Sequence, residues 1–370
     1  MKLRVEKGDL TEAVAWAVRA VPSRPTIPIL SGVLLVADPA GLEATGFDFE
    51  QGARIRVDAA VAEAGRSLVS GRLLAEISRA LPGAPVDLET EGARLVVTCG
   101  SSRFELPTMP VEDYPQLPEL PGVSGRITAA SFAAAVGQVA LAAGRDDTLP
   151  ALTGVRLEID GEQLTLAATD RYRLAVREVK WRPESDAVDL PSSALVPART
   201  LADTAKAFAG SDGEVTVAFA GAGESLVGFA AGDRVTTTRL LDGEFPRYRS
   251  LLPSGSSATA EFDTTDVVDA VRRVRLVLAR TSPVRLSFTS DEVVLDAGSG
   301  DEAQARERLA VRYEGEPMTI AFNPEYLLDG LTALDSDTAR MSFTEPSKPT
   351  VLTGKSADYR YLLMPVRLMG

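Results

Sequence analysis

Residues 69–81, VSGRLLAEISRAL, read as a short apolar strand end, a small turn residue and then an amphipathic helix. The same outline returns at 196–208, VPARTLADTAKAF, and at 321–334, AFNPEYLLDGLTAL. Working outward, GLEATGFDFEQGARIRV (41–57) aligns with QLTLAATDRYRLAVREV (163–179) and EVVLDAGSGDEAQARERL (292–309). Beyond those, RFELPTMPVEDYPQLP (103–118) aligns with VTTTRLLDGEFPRYRSLLP (235–253) and DYRYLLMPVRL (358–368). The period is about 125 residues, the size of one domain. Three copies of one domain, with no concentrated catalytic centre, point to an architectural role.

Each repeat divides again. In the first, LRVEKG (3–8) reads as a strand and DLTEAVAWAVRAV (9–21) as a helix, with Asp9 and Glu12 at capping-box spacing. Strands follow at ILSGVLLVAD, GLEATGFD and ARIRVDAAV. A second strand and helix open at SLVSGRLLAEISRAL, with Ser70 as the expected cap and Pro82-Gly83 as the stop. VDLETE, RLVVTCG and SRFELPTM complete a second β-α-β-β-β unit. The order recurs from Arg126 and from Ala258. Proline- and glycine-rich stretches at 115–125 and 252–260 mark boundaries, so the expected domains are 1–122, 123–254 and 255–370. Helices packed on antiparallel sheets make an α+β fold, here three copies of one domain with two β-α-β-β-β units each.

The 370-residue chain has 45% hydrophobic and 25% charged residues, as ordinary soluble globular proteins do. No apolar run is long enough to span a membrane, and MKLRVEKGDL lacks the apolar core of a secretory signal, so a cytoplasmic protein is expected. Cys99 is the single cysteine, which excludes an intrachain disulfide and a thiolate metal cluster. The absence of histidine removes Ser-His-Asp and Cys-His catalysis and the commonest zinc ligands. Neither GxxxxGK[ST] nor GxGxxG follows a strand. Carboxylate chemistry survives, and Asp170 in ATDRYR is its one candidate; a strand-end turn in which Asp170 caps backbone N–H groups is the favoured reading. No enzyme activity, metal or cofactor is expected.

The net charge of −13 argues against broad nucleic-acid binding, but distribution matters more than the average. Arg72 and Arg79 lie seven residues apart on one helix face, and Arg199 and Lys206 hold the equivalent places in the second repeat. In the third, the equivalents are Glu325 and Thr332, and Arg272, Arg273 and Arg275 on the other helix are expected to compensate. Acidic residues gather in loops and strand edges such as Glu112-Asp113, Glu184/Asp186 and Asp291/Glu292. Matching basic faces would bind phosphates without reading bases.

The segments RPTIPILSGVLL (24–35), ATDRYRLA (168–175), DGEFPRYRSLLP (242–253), FNPEYLLDGL (322–331) and YLLMPVRL (361–368) closely resemble the bacterial DNA polymerase sliding clamp, the β subunit. The resemblance runs the whole length in order, and its character is closest to actinobacterial clamps. It implies a head-to-tail homodimer whose six domains close a ring around duplex DNA, with helices lining the hole. Arg24, Arg72, Arg79, Arg199 and Lys206 would then face the DNA, read independently of its sequence. The family's aromatic DNA contacts before the Gly154 strand appear here as Leu149, Pro150 and Ala151.

The resemblance also implies a partner-peptide cleft between the second and third domains. It would receive short segments with apolar and glutamine side chains from the replicative polymerase, the clamp loader, repair polymerases and ligase-type binders, or a cyclic-peptide inhibitor. Carried over motif by motif, its second-domain wall is Leu152, Thr169, Arg171, Tyr172, Arg173, Leu174, Pro246 and Leu251. Asn323, Tyr326 and Ser347 come next, and the C-terminal wall is Leu362, Met364, Pro365, Val366 and Arg367. Tyr172 stands where some relatives have histidine, and Met369-Gly370 extend the chain beside the cleft. The leading expectation is a processivity factor. The alternatives are a clamp paralogue acting in inhibitor resistance or as a peptide-binding module, and a carboxylate hydrolase using Asp170.

Overall fold

The computed structural model describes residues 1–184, 193–210, 213–220, 225–279, 282–298 and 303–367. The first repeat opens with β1 (Lys2–Val5), α1 (Lys7–Ala17), β2 (Gly32–Asp38), β3 (Gly41–Phe47), β4 (Gln51–Val57) and a short β5 (Ala60–Glu63). Its second unit is β6 (Gly65–Ser70), α2 (Gly71–Ala80), β7 (Val86–Glu91), β8 (Arg94–Cys99) and β9 (Ser102–Met109). The second repeat begins with β10 (Gly125–Thr128), α3 (Ala129–Ala140), β11 (Gly154–Asp160), β12 (Gln163–Thr169), β13 (Arg173–Lys180) and β14 (Arg182–Pro183). It continues with β15 (Ser193–Pro197), α4 (Ala198–Phe208), β16 (Glu214–Phe219), β17 (Leu226–Ala231) and β18 (Arg234–Arg239). The third begins with β19 (Ala258–Asp263), α5 (Thr264–Val274), β20 (Val284–Phe288), β21 (Glu292–Ala297), β22 (Ala305–Ala310) and β23 (Arg312–Glu314). It ends with β24 (Met318–Phe322), α6 (Pro324–Thr332), β25 (Thr338–Phe343), β26 (Thr350–Thr353) and β27 (Tyr359–Leu363). The β-α-β-β-β unit read from the sequence therefore occurs six times.

Sheets run from one repeat into the next. A 14-stranded sheet joins the first repeat to half of the second through β4 and β18, where Gln51 pairs with Thr238 and Ile55 with Arg234. A nine-stranded sheet joins the other half to the third through β13 and β27, where Arg173 pairs with Leu363 and Arg177 with Tyr359. β22, β21, β20 and β24 form a separate four-stranded sheet. The chain thus folds as two compact units, one holding the 14-stranded sheet and the other holding the remaining two.

One expected cap is corrected, and a second holds its place without its side-chain bond. α1 starts at Lys7 rather than Asp9, with Glu6 at the N-cap and Asp9 inside the first turn, so no capping box forms. The Thr11 hydroxyl lies 2.8 Å from the Lys7 carbonyl oxygen and 3.0 Å from that of Ser78 on α2, and shares its proton between them, tying the first turn to the neighbouring helix. Ser70 does occupy the N-cap of α2, but its side chain accepts no cap hydrogen bond. In the third repeat the caps are full. Asp263 accepts from Thr265 and Asp266, and Asn323 from Glu325 and Tyr326.

The cores sit where helices meet sheet. Leu10, Val14, Leu74 and Ile77 are buried between α1, α2 and the strands of the first unit, and Trp16 stacks on Phe208 with ring centroids 5.6 Å apart. In the second unit, Tyr361 of β27 is fully buried against α6 and donates to the Tyr326 carbonyl at 2.8 Å. Gly330 makes room for that ring, because a Cβ there would fall inside contact distance of Tyr361. Gly330→Ala is therefore expected to destabilise the fold by about 1–3 kcal/mol, measured by urea unfolding; an unchanged midpoint would show that the ring has room to move.

Candidate partner-peptide site and basic helix faces

The turn between β12 and β13 is built by Asp170. Its Oδ1 accepts from the N–H groups of Tyr172 and Arg173, each at 3.0 Å, and its Oδ2 accepts from Arg173 Nε at 2.9 Å. The Thr169 hydroxyl donates to the Arg173 carbonyl at 2.7 Å and accepts from the Arg171 N–H. These bonds hold Arg171 at φ 78°, a left-handed conformation that costs a non-glycine residue about 1–2 kcal/mol. Asp170 is thus occupied as a turn-former, which favours the structural reading of ATDRYR over the hydrolytic one.

Arg173 is only 6% exposed, so its charge must be met inside the protein. Besides Asp170, it donates to Asp329 of α6 at 2.5 Å, and its guanidinium lies 4.3 Å from the centroid of the Tyr326 ring. Burial opposes the charge, but Tyr361, Asp329 and Asp170 outweigh it and hold the pKa above the ordinary guanidinium value. Arg173 is therefore the post that ties the turn to α6, rather than a freely available peptide ligand. Asp329 and Tyr361 were not singled out from the sequence. Asp329 lies three residues after Tyr326, on the same helix face, which is the one signal that marks it.

The C-terminal segment is hung on the same post. The Met364 N–H donates to the Tyr172 carbonyl at 2.9 Å, and the Val366 N–H to Ala321 O at 2.8 Å. Tyr172 and Tyr326 face each other with ring centroids 6.4 Å apart. Beneath, Leu174 and Leu362 pack with Ala167, Val176, Leu195, Phe245 and Tyr248, with Ala151, Leu241 and Leu252 at the margin. Leu174 and Leu362 are 1% and 3% exposed, so they form a floor, whereas Tyr172, Leu251, Met364 and Val366 present apolar surface to solvent. Leu152, Pro246, Tyr326 and Pro365 are half-buried.

Asn323 spends its side-chain oxygen on capping α6. Arg171, Ser347 and Arg367 are exposed, with Ser347 in the β25–β26 loop. Leu368 and Met369-Gly370 lie outside the described residues, as does Asp186. Behind Leu251, Glu158 accepts from Tyr248 Oη at 2.8 Å and Arg249 Nη2 at 2.6 Å. Burial pushes Glu158 up, but the bonds from Arg249 and Tyr248 outweigh it and set its carboxyl below the ordinary glutamate range. Burial and Glu158 push the Tyr248 phenol up to about 12.

Arg24, Arg72, Arg79, Arg199 and Lys206 are all exposed, and the i, i+7 pairs lie opposite the buried residues of α2 and α4. Arg72 touches the Pro22 carbonyl at 3.3 Å. The expected compensation on α5 does not hold. Arg273 pairs with Glu307 of β22 through two bonds of 2.6 and 2.7 Å, Arg272 with Asp269, and Arg275 with Glu325 at 2.8 Å. Glu325 is the residue that replaces the basic position of the other repeats, so Arg275 neutralises it locally instead of adding a free charge.

Three β-subunit models of DNA polymerase III match the chain in order: the N-terminal domain over residues 1–118, the central domain over 126–247 and the C-terminal domain over 249–367. The chain belongs to this family, the bacterial β sliding clamps. It is similar to the beta sliding clamp of Streptomyces coelicolor, with 53% identity over the full length of both chains. The beta sliding clamp homolog GriR of Streptomyces muensis is 44% identical over 99% of each. The crystal structure of the Bacillus subtilis DNA polymerase sliding clamp superposes with a TM-score of 0.92 at 27% identity, covering all of both chains.

Two outcomes test the site's electrostatics. Asp170→Ala removes one partner of a buried charge and is expected to cost about 3 kcal/mol in urea unfolding. Glu158 stabilises the fold above its unfolded pKa, about 4.3, and that contribution is lost as pH falls through its lower folded value. Glu158→Gln should therefore flatten the acid limb of the stability–pH curve, and an unaltered limb would remove Glu158 from that role.

Proposed function

We propose that this chain is a replicative sliding clamp: a non-enzymatic ring of two copies that encircles duplex DNA and tethers the polymerase. The observation that carries it is the rule by which repeats join. β4 of the first repeat pairs with β18 of the second, and β13 of the second pairs with β27 of the third. In each case the third strand after one helix meets the last strand of the following repeat. By the same rule β22 seeks a last strand, and among the described residues it has only β21 as neighbour. β9 is the complementary open edge, since β6 pairs only with its Thr108–Met109 end. A second copy supplies both partners, and head-to-tail pairing of β22 with β9 closes six domains, 1–122, 123–254 and 255–370 in each chain. Exposed Phe104 on β9 and Leu276 after α5 support apolar contact at that junction.

Within the ring, Arg24, Arg72, Arg79, Arg199 and Lys206 meet phosphates without base readout. The negative net charge then belongs to the remaining surface. The site around Tyr172, Leu251, Met364 and Val366 takes apolar peptide segments from the polymerase, the clamp loader and repair factors, and tethering raises their effective concentration at DNA. Greater identity to the Streptomyces coelicolor clamp than to GriR favours the replicative copy over a resistance paralogue. A cytoplasmic location accords with this role, and no helix among the described residues is long and apolar enough to cross a membrane.

The test is retention. Loaded on nicked circular DNA, the dimer is expected to stay until the circle is linearised, and Arg72→Glu with Arg79→Glu should shorten its residence several-fold. Equal retention on circles and linear DNA would end the encirclement model. For the peptide site, Leu251→Ala with Met364→Ala is expected to weaken a polymerase-derived peptide more than tenfold in an intact dimer.

A further inference from the structure

The first junction reproduces the turn and backbone pairing of the peptide-site junction. At the β3–β4 turn, Asp48 Oδ1 accepts from the N–H groups of Glu50 at 3.0 Å and Gln51 at 2.7 Å, as Asp170 does for Tyr172 and Arg173. Phe49 holds the left-handed position at φ 73°, matching Arg171. The Arg239 N–H donates to the Glu50 carbonyl at 2.8 Å, as the Met364 N–H does to Tyr172. Gln51 pairs with Thr238 where Arg173 pairs with Leu363.

The floors differ. Under the peptide site, Leu174, Leu362 and Val351 form a cross-strand row of large apolar residues. The equivalent row at the first junction is Gly52, Thr237 and Gly228. That row is a trough, and the chain fills it with its own linker. A Cβ at Gly52 would meet Thr237 Oγ1 at 2.8 Å and Leu117 Cδ2 at 3.2 Å, and one at Gly228 would collide with Leu120 and approach Pro121. Leu117 also packs on the Leu34, Phe47, Leu68 and Tyr114 cluster. Along the linker, Leu117, Leu120 and Pro121 are half-buried while Gln116 and Glu119 face solvent. Thr237 Oγ1, buried in the trough, has no hydrogen-bond partner.

We infer that the first junction is a second peptide site of the same construction, closed in cis by residues 115–121. The linker is a captive peptide: Leu120 occupies the space that Gly228 leaves open, and Leu117 shares with Thr237 the space over Gly52. This explains on physical grounds why a chain with two alike junctions offers one open peptide site. The inference rests on the peptide-site reading above, and the last arm of the test distinguishes the failure of one from the failure of the other.

The test uses the full-length dimer with the open site disabled by Leu251→Ala and Met364→Ala. In that background, Leu117→Ser with Leu120→Ser should release the linker. The probe is a labelled synthetic peptide of the chain's own sequence, DYPQLPELPG (113–122), followed by fluorescence anisotropy. Saturable binding of one peptide per protomer is expected, at least tenfold tighter than to the same protein with its native linker. Equal binding with native and altered linkers, in proteins that both remain folded dimers, would overturn the inference. If the double variant does not fold, Leu120→Ser alone is read by hydrogen exchange. Faster exchange confined to 51–53, 227–229 and 236–239 supports the captive linker, and no change there refutes it. Failure of a polymerase-derived peptide to bind the wild-type dimer would instead count against the proposed function alone.

Discussion

Backbone pairing across repeat boundaries is the constraint on which the rest depends. A strand edge leaves N–H and C=O groups unmet, and each repeat ends on such an edge. β4 and β18 meet this need once, and β13 and β27 meet it again. The candidate site follows from the second pairing, because only that register sets Leu362 beside Leu174 and brings the Met364 N–H to the Tyr172 carbonyl. Among the described residues, β22 and part of β9 keep unpaired edges of the same kind.

Charge is handled by the same economy. Buried Arg173 is held by Asp170 and Asp329 and stacked against Tyr326, so a turn, a helix and a sheet are pinned by one guanidinium. Around it the surface is apolar and open. Elsewhere arginines are divided between those committed to carboxylates, such as Arg273 and Arg275, and those left exposed on α2 and α4. A count of basic residues does not make that division; which carboxylate lies within reach does.

Much of the fold was legible. Among the described residues, six α-helices follow from 3.6-residue periodicity and their flanking strands from alternation, with Pro82-Gly83 and proline-rich linkers as stops, because these signals are local. The repeat made the equivalence of Arg72, Arg199 and Glu325 readable by alignment. Where the reading failed, a distant group decided. Thr11 reached Ser78 on α2, and Glu307, remote in sequence, engaged Arg273. Leu174 and Met364 look alike as apolar site residues, yet one is floor and the other surface.

The sequence by itself determined the threefold repeat, the strand–helix order, the turn at Asp170 and the family, since each is written in neighbouring residues or in motifs kept in order. Only the tertiary structure decided which edges pair, which arginines stay free, and that Leu117 and Leu120 lie over Gly52 and Gly228. Those outcomes depend on register and on space between segments far apart in the chain, and a glycine in a sequence does not say what fills the room it leaves.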